Sequence, residues 1–240
     1  MERLKHLFWI CSGIVFFLSC ASSSTKFIRP EYRTMSNKNA QLLIAPIEEV
    51  AFNVSDEIMS DLNITSTKQE HEDFFKSNLV KQLKSQINGP VLLASAYPEE
   101  QAFSKKKLTV NKRMIIKLEI PDSTEWINYD VFKDGYILFL QGIHFSISKT
   151  DKDSSRPEKF YNLSGDGYKD TAFHPLKYFK YNVHYSAQYA LMDRSMHKFV
   201  SYGNFDIKKS LKEKEEIEMV IQNCIQKGAE EILDGTPLTN

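Results

Sequence analysis

Beyond the first twenty residues the chain carries five histidines, His71, His144, His174, His184 and His197. Zinc chemistry needs histidines one helical turn apart, or cysteines at short spacing. No two of these five stand four residues apart and none has a cysteine at such spacing, so the expectation is surface histidines and no metal centre. His144 and His184 would face each other only if their strands paired in one particular register. Asp151, Asp153, Asp166 and Asp170 could offer oxygen ligands to calcium, but the alternating run closed by a bidentate Glu is missing. Ser164-Gly165-Asp166-Gly167 reads as a turn. A serine nucleophile on a sharp strand-to-helix turn would show as Gly-x-Ser-x-Gly, and no such run occurs. Cys224 stands within an apolar helical stripe and reads as a buried thiol. The residues that could do chemistry therefore predict no catalytic residue, no cofactor and no enzyme. Tyr181, Tyr185 and Tyr189 follow one stretch at regular spacing, with Tyr178 before them and Tyr202 on the returning stretch. With one side of that hairpin uncovered they would form an aromatic interaction surface of the kind enriched in interface cores. With helices over that side they would be core. Lys105-Lys106-Lys107, with Lys112 and Arg113, reads as a solvated loop beside a strand, or as a contact for anionic headgroups.

The whole composition agrees with a surface rather than a reaction centre. The 240 residues hold 31 basic and 31 acidic side chains, and zero net charge argues against nucleic acid as a partner. Three cysteines rule out a disulfide scaffold. A hydrophobic share of 42%, with nine glycines and eight prolines, describes a globular chain rather than a low-complexity one.

Arg3, Lys5 and His6 precede an apolar run over residues 7–18. That run is shorter than the roughly 20 residues of a spanning helix. It has the length of a signal-peptide core. Phe17, Leu18 and Ser19 then lead to Cys20 and Ala21. Here the sequence resembles a bacterial lipoprotein, with Ser19 and Cys20 at the cleavage positions of a lipobox. The resemblance implies a signal peptide over 1–19, with Cys20 as the mature, lipidated N-terminus. With Ala21 rather than an aspartate next, it implies delivery to the outer membrane, the domain facing the periplasm or the cell surface. Each buried CH₂ of the lipid is worth about 0.8 kcal/mol, so two or more chains on one residue hold a domain durably. An ordinary secreted protein cut near Ser22 is the alternative. Removal of residues 1–19 leaves 29 basic and 30 acidic groups.

The polar stretch 20–40 reads as the lipidated N-terminus and a flexible tether. Residues 41–47 read as a central strand, apolar on both faces. Thr67 and Glu70 make a capping box, followed by Phe75, Leu79, Val80, Leu83 and Ile87 on one helical face. Asn88-Gly89-Pro90 ends that helix and residues 91–95 form a strand, giving a strand–helix–strand unit. Residues 114–120 and 136–148 read as strands, the second apolar on both faces in its first half and alternating in its second. Residues 149–176 form a polar loop long enough to be functional. Residues 179–191 and 199–207 make a hairpin about a turn at 193–197. A last helix is expected, capped by Ser210 with Glu213, its stripe running through Ile217, Ile221, Cys224, Gly228 and Ile232 to Gly235. The fold class expected is α+β in one domain over 41–235, a mostly antiparallel sheet with an early strand–helix–strand unit and a C-terminal helix packed on it.

That order of elements is similar to the amino-terminal domain of TolB and to the periplasmic domains of CsgG-like lipoproteins. The matching stretches are 42–47, the helix over 67–87, the strand around Gly142, and the hairpin from 189–193 to 200–203. The resemblance implies a non-catalytic accessory or assembly protein of the cell envelope, attached to the membrane by its lipid, with an envelope protein as partner and a homo-oligomer left open. The alternatives are a ligand-binding lipoprotein with a pocket near the 149–176 loop, or a hydrolase of an unrecognised type.

Overall fold

A computed structural model describes residues 20–111, 114–122, 135–152, 178–211 and 216–239. Its strands are β1 (Cys20–Ile28), β2 (Gln41–Ile44), β3 (Val50–Asn53), β4 (Val91–Leu93), β5 (Phe103–Asn111), β6 (Met114–Pro121), β7 (Gly135–Lys152), β8 (Tyr178–Asp193) and β9 (Lys198–Ser210). The helices are α1 (Asp56–Asp61), α2 (Lys68–Gln86) and α3 (Ile217–Leu233).

The start of α2 is set locally. Thr67 accepts from the Glu70 amide, and the Glu70 carboxylate accepts from the Thr67 amide at 2.7 Å. Phe75, Leu79 and Leu83 then turn into the core. The strands on either side of α2 pair in parallel, Leu42 opposite Val91 and Ile44 opposite Leu93, so the expected strand–helix–strand unit is present.

Seven strands make one sheet in the order β1-β9-β8-β7-β2-β4, with β3 joining β7 beyond the end of β2. The β1–β9, β9–β8 and β8–β7 pairings are antiparallel, whereas β2–β7, β3–β7 and β2–β4 are parallel. The sheet is therefore mixed, not mostly antiparallel. A short turn, as between β8 and β9, forces antiparallel pairing, while each parallel pair is bridged by a long excursion that returns the chain in its original direction. Between β2 and β7 that excursion holds α2, β4 and the β5–β6 hairpin.

Two hydrophobic layers sandwich this sheet. On one side Leu42, Ile44, Leu138, Tyr185, Tyr189 and Phe205 pack under α2 and α3. On the other, Leu43, Ile137, Phe139, Ala190, Met192 and Tyr202 pack against Ile116, Leu118 and Ile120 of the β5–β6 hairpin. This explains the doubly apolar first half of β7, which is covered on both faces. In its second half Ile143, Phe145 and Ile147 are buried while Ser148 is exposed. Lys105, Lys106 and Lys107 belong to β5 rather than to a loop.

Two further expectations are corrected. Residues 20–28 are not a tether but an edge strand, with Cys20 opposite Lys209 and Ile28 opposite Ser201. The alternation of Lys26, Phe27 and Ile28 is too short to outweigh the serines by pattern alone, and the long free edge of β9 supplies the pairing. Residues 30–32 then form a short helical turn that buries Tyr32. Ser210 does not cap α3. It ends β9 and donates to the Asn182 Oδ1 at 2.8 Å, while α3 begins after Glu216. The stripe of α3 is as expected, with Val220, Ile221, Cys224, Ile225, Gly228 and Ile232 buried. Gly228 lies where the helix crosses the sheet: a Cβ there would stand 2.6 Å from Tyr185 Cε1.

Candidate functional site

The aromatic face proposed from the sequence is covered. Tyr185 and Tyr189 are 0% and 1% exposed, beneath α3, and their hydroxyls have no hydrogen-bond partner among the described residues. Tyr185 stacks on Phe145 at 4.4 Å and meets Phe75 and Phe205 edge-on. Burial raises the pKa of both phenols. Tyr202 lies on the opposite face, under the β5–β6 hairpin, and donates to the Thr109 carbonyl at 3.0 Å. Tyr181 reaches the surface and donates to Asp61 at 2.8 Å. The four tyrosines thus form no common surface, because β7–β9 carry helices on one side and a hairpin on the other. Cys20 opens β1 at the sheet edge. Ser19 lies outside the described residues, as do residues 153–176 of the expected functional loop, whose first residues, 149–152, instead continue β7.

His144 and His184 are not directly opposite: His144 pairs with Ser186, and His184 with Ser146. His144 Nε2 stands 2.7 Å from Asn53 Nδ2. Among the described residues no group of three or more His, Cys, Asp or Glu is placed to hold a metal ion. Cys224 is buried.

What brings polar and apolar groups together is a groove of about 430 Å³ between the first turns of α2 and α3. Its apolar walls are Phe52 from β3, Ile64 from the loop after α1, Phe74, and Ile217 with Ile221 from α3. Asn63, Thr65, Ser66, Glu70, His71 and Glu218 add polar groups. Asn63 sits in the left-handed region at φ 53°, which turns the chain sharply after α1 and carries Ile64 to the groove. Volumes of this order suit a small ligand or one large side chain.

His71 sits in the wall, its ring stacked on Phe52 with centroids 4.1 Å apart. Burial lowers its pKa, opposed by Glu70, Glu218 and a hydrogen bond to the Ser66 backbone. Nε2 is shut off from water and has no hydrogen-bond partner among the described residues. Glu70 is held below the usual carboxylate range by the backbone and hydroxyl of Thr67.

Sequence reasoning found Glu70 as a cap but not as a groove residue. Nothing in the spacing of Phe52, His71 and Glu218 links three segments that meet only in space. At the other side of α1, Lys149 bridges Glu57 and Asp61, each at 2.8 Å, tying this short helix to β7.

The fold is a helix–sheet–hairpin sandwich of the α+β kind, with strands outnumbering helices and a C-terminal helix closing the core. No protein-family model and no curated protein matches the chain. Among solved structures it is similar to a PelC dodecamer from Paraburkholderia phytofirmans at 11% identity and a TM-score of 0.39, covering 90% of this chain and 99% of that one. A second PelC dodecamer, a leucine-to-methionine variant from the same organism, gives 9% identity and a TM-score of 0.36 over 90% and 96%. A neuraminyllactose-binding hemagglutinin homolog from Helicobacter pylori gives 9% and 0.36 over 84% and 82%. Likenesses of that depth assign no activity. No helix among the described residues is long and apolar enough to cross a membrane.

Proposed function

We propose that this chain is a lipid-anchored, non-catalytic protein of the bacterial cell envelope, which binds protein partners as an accessory or assembly component at the outer membrane. The observation that carries the reading is the leader: a basic start, an apolar run over 7–18, and Ser19-Cys20 at its end. The fold adds a consequence. Because β1 begins at Cys20 itself, a lipid there sits at the edge of the sheet with no spacer. The domain would then be held against the bilayer rather than suspended from it.

The test is the N-terminus of the protein extracted from a bacterial envelope. Mass spectrometry is expected to find a chain that begins at Cys20 and carries acyl chains, and Cys20→Ala is expected to leave the precursor uncut. A mature chain starting near Ser22 without lipid would overturn the anchor. Light cross-linking in mild detergent is expected to yield a discrete larger particle with co-purifying chains, and a bare monomer would overturn the assembly role.

A second reading, a ligand-binding lipoprotein, is favoured by the groove between α2 and α3. That groove lies among residues 52–74 and 217–221. No observation among the described residues favours a hydrolase.

A further inference from the structure

We propose that the groove between α2 and α3 is the docking site for a segment of a partner protein in which an apolar side chain stands beside a lysine or arginine. The inference deepens the protein-binding reading and rests on it, but it does not depend on the lipid.

Size is the first argument. A cavity of about 430 Å³, walled by Phe52, Ile64, Phe74 and Ile217, takes one large side chain rather than a whole helix face. These four side chains pack against the core yet remain partly exposed, so an occupant would complete their burial. Charge is the second. Among the described residues every ionised side chain lining the groove is a carboxylate, Glu70 or Glu218, and no Lys or Arg lines it. Both carboxylates stand in first helical turns, where they offset the positive ends of the helix dipoles and leave the rim negative. An incoming ammonium or guanidinium is attracted there and a carboxylate repelled.

The test uses the full mature chain in detergent, with isotope labels on the isoleucine methyls and histidine rings. Acetyl-Phe-Lys-amide, acetyl-Phe-Gln-amide, acetyl-Phe-Glu-amide and phenethylammonium are titrated separately. The lysine probe is expected to shift the signals of Ile64, Ile217, Ile221 and His71 and to bind about five-fold tighter than the glutamine probe, with the glutamate probe weakest. Glu218→Lys, at an exposed position, is expected to reverse that order with the fold intact. Equal affinities for the three peptides, or no shift of those signals at about 10 mM probe, would overturn the proposal. Phenethylammonium binding as tightly as the lysine peptide would overturn a protein segment as the occupant in favour of a small organic cation. The N-terminal mass of the same sample reports the anchor separately: an unlipidated chain that still binds the lysine probe fails the anchor alone, and a lipidated chain that binds none fails this inference alone.

Discussion

Single side chains carry consequences that can be measured separately. Thr67 closes the capping box of α2, and caps of this kind contribute about 1 kcal/mol. Thr67→Ala is expected to lower the unfolding free energy by about that much in a denaturant titration. Tyr185 presents the opposite case: its ring is needed for stacking, but its hydroxyl is buried without a partner. Tyr185→Phe is expected to leave stability unchanged or raise it by up to about 1 kcal/mol, since an unmade buried hydrogen bond is a cost. His71 makes the fold sensitive to pH. Its folded pKa lies below the ordinary 6.5 because burial disfavours the imidazolium. Between those two values the unfolded chain binds the proton more readily, so this contribution is full above pH 6.5 and is lost as pH falls toward the folded value. Thermal melts across that window are expected to show a fall that His71→Asn flattens, and an unchanged slope in the variant would refute the assignment.

Among the elements, β1 is where sequence and structure part most. Serine-rich and polar, it has little strand propensity of its own, and it folds because β9 offers an unpaired edge along its length. Two contacts fasten it: Lys26 Nζ donates to the Asp234 carbonyl, and Arg29 Nε donates to the Phe199 carbonyl at 2.6 Å. Gly203 on β9 permits the close approach, since a Cβ there would fall 2.4 Å from the Thr25 carbonyl oxygen. Gly203→Ala is expected to loosen β1 before the rest of the sheet, read as faster hydrogen exchange over amides 21–28 with β8 unaffected. Uniform protection in the variant would show that β1 is not held by this contact. By contrast α2, α3 and the β8–β9 hairpin were legible. The capping box marks the start of α2, the apolar stripe of α3 is strong, and Asp193 shapes the expected turn by accepting from Ser195 Oγ at 2.7 Å and from the Met196 amide at 3.1 Å.

For the whole molecule, covering decides what is surface and what is core. Alternating tyrosines on one strand describe an interface or a core equally well, and α3 lying across β8 made Tyr185 and Tyr189 core. The same covering created the groove, because two helix starts and the loop at Asn63 meet without filling the space between them. A sheet edge that begins at Cys20 also changes the expected attachment. A lipid there would hold the domain close to the bilayer, whereas a twenty-residue coil would let it reach roughly 25 Å. Distances measured from labels at exposed Met196 and at Lys208 to the bilayer are expected to differ reproducibly, because the two ends of β9 cannot be equidistant from a lipid on β1. Equal, broad distributions would restore the tether.

By itself the sequence determined the features with local or periodic causes: the capping box at Thr67, the apolar stripes of both long helices and the two-faced first half of β7. Tertiary structure alone decided the rest. The parallel pairing of β2 with β7, the recruitment of residues 20–28 into the sheet and the meeting of Phe52, His71 and Glu218 all depend on contacts between segments far apart in the chain. Such contacts are settled by which edge and which face remain unburied once the strong elements have formed, and no spacing along the chain records that.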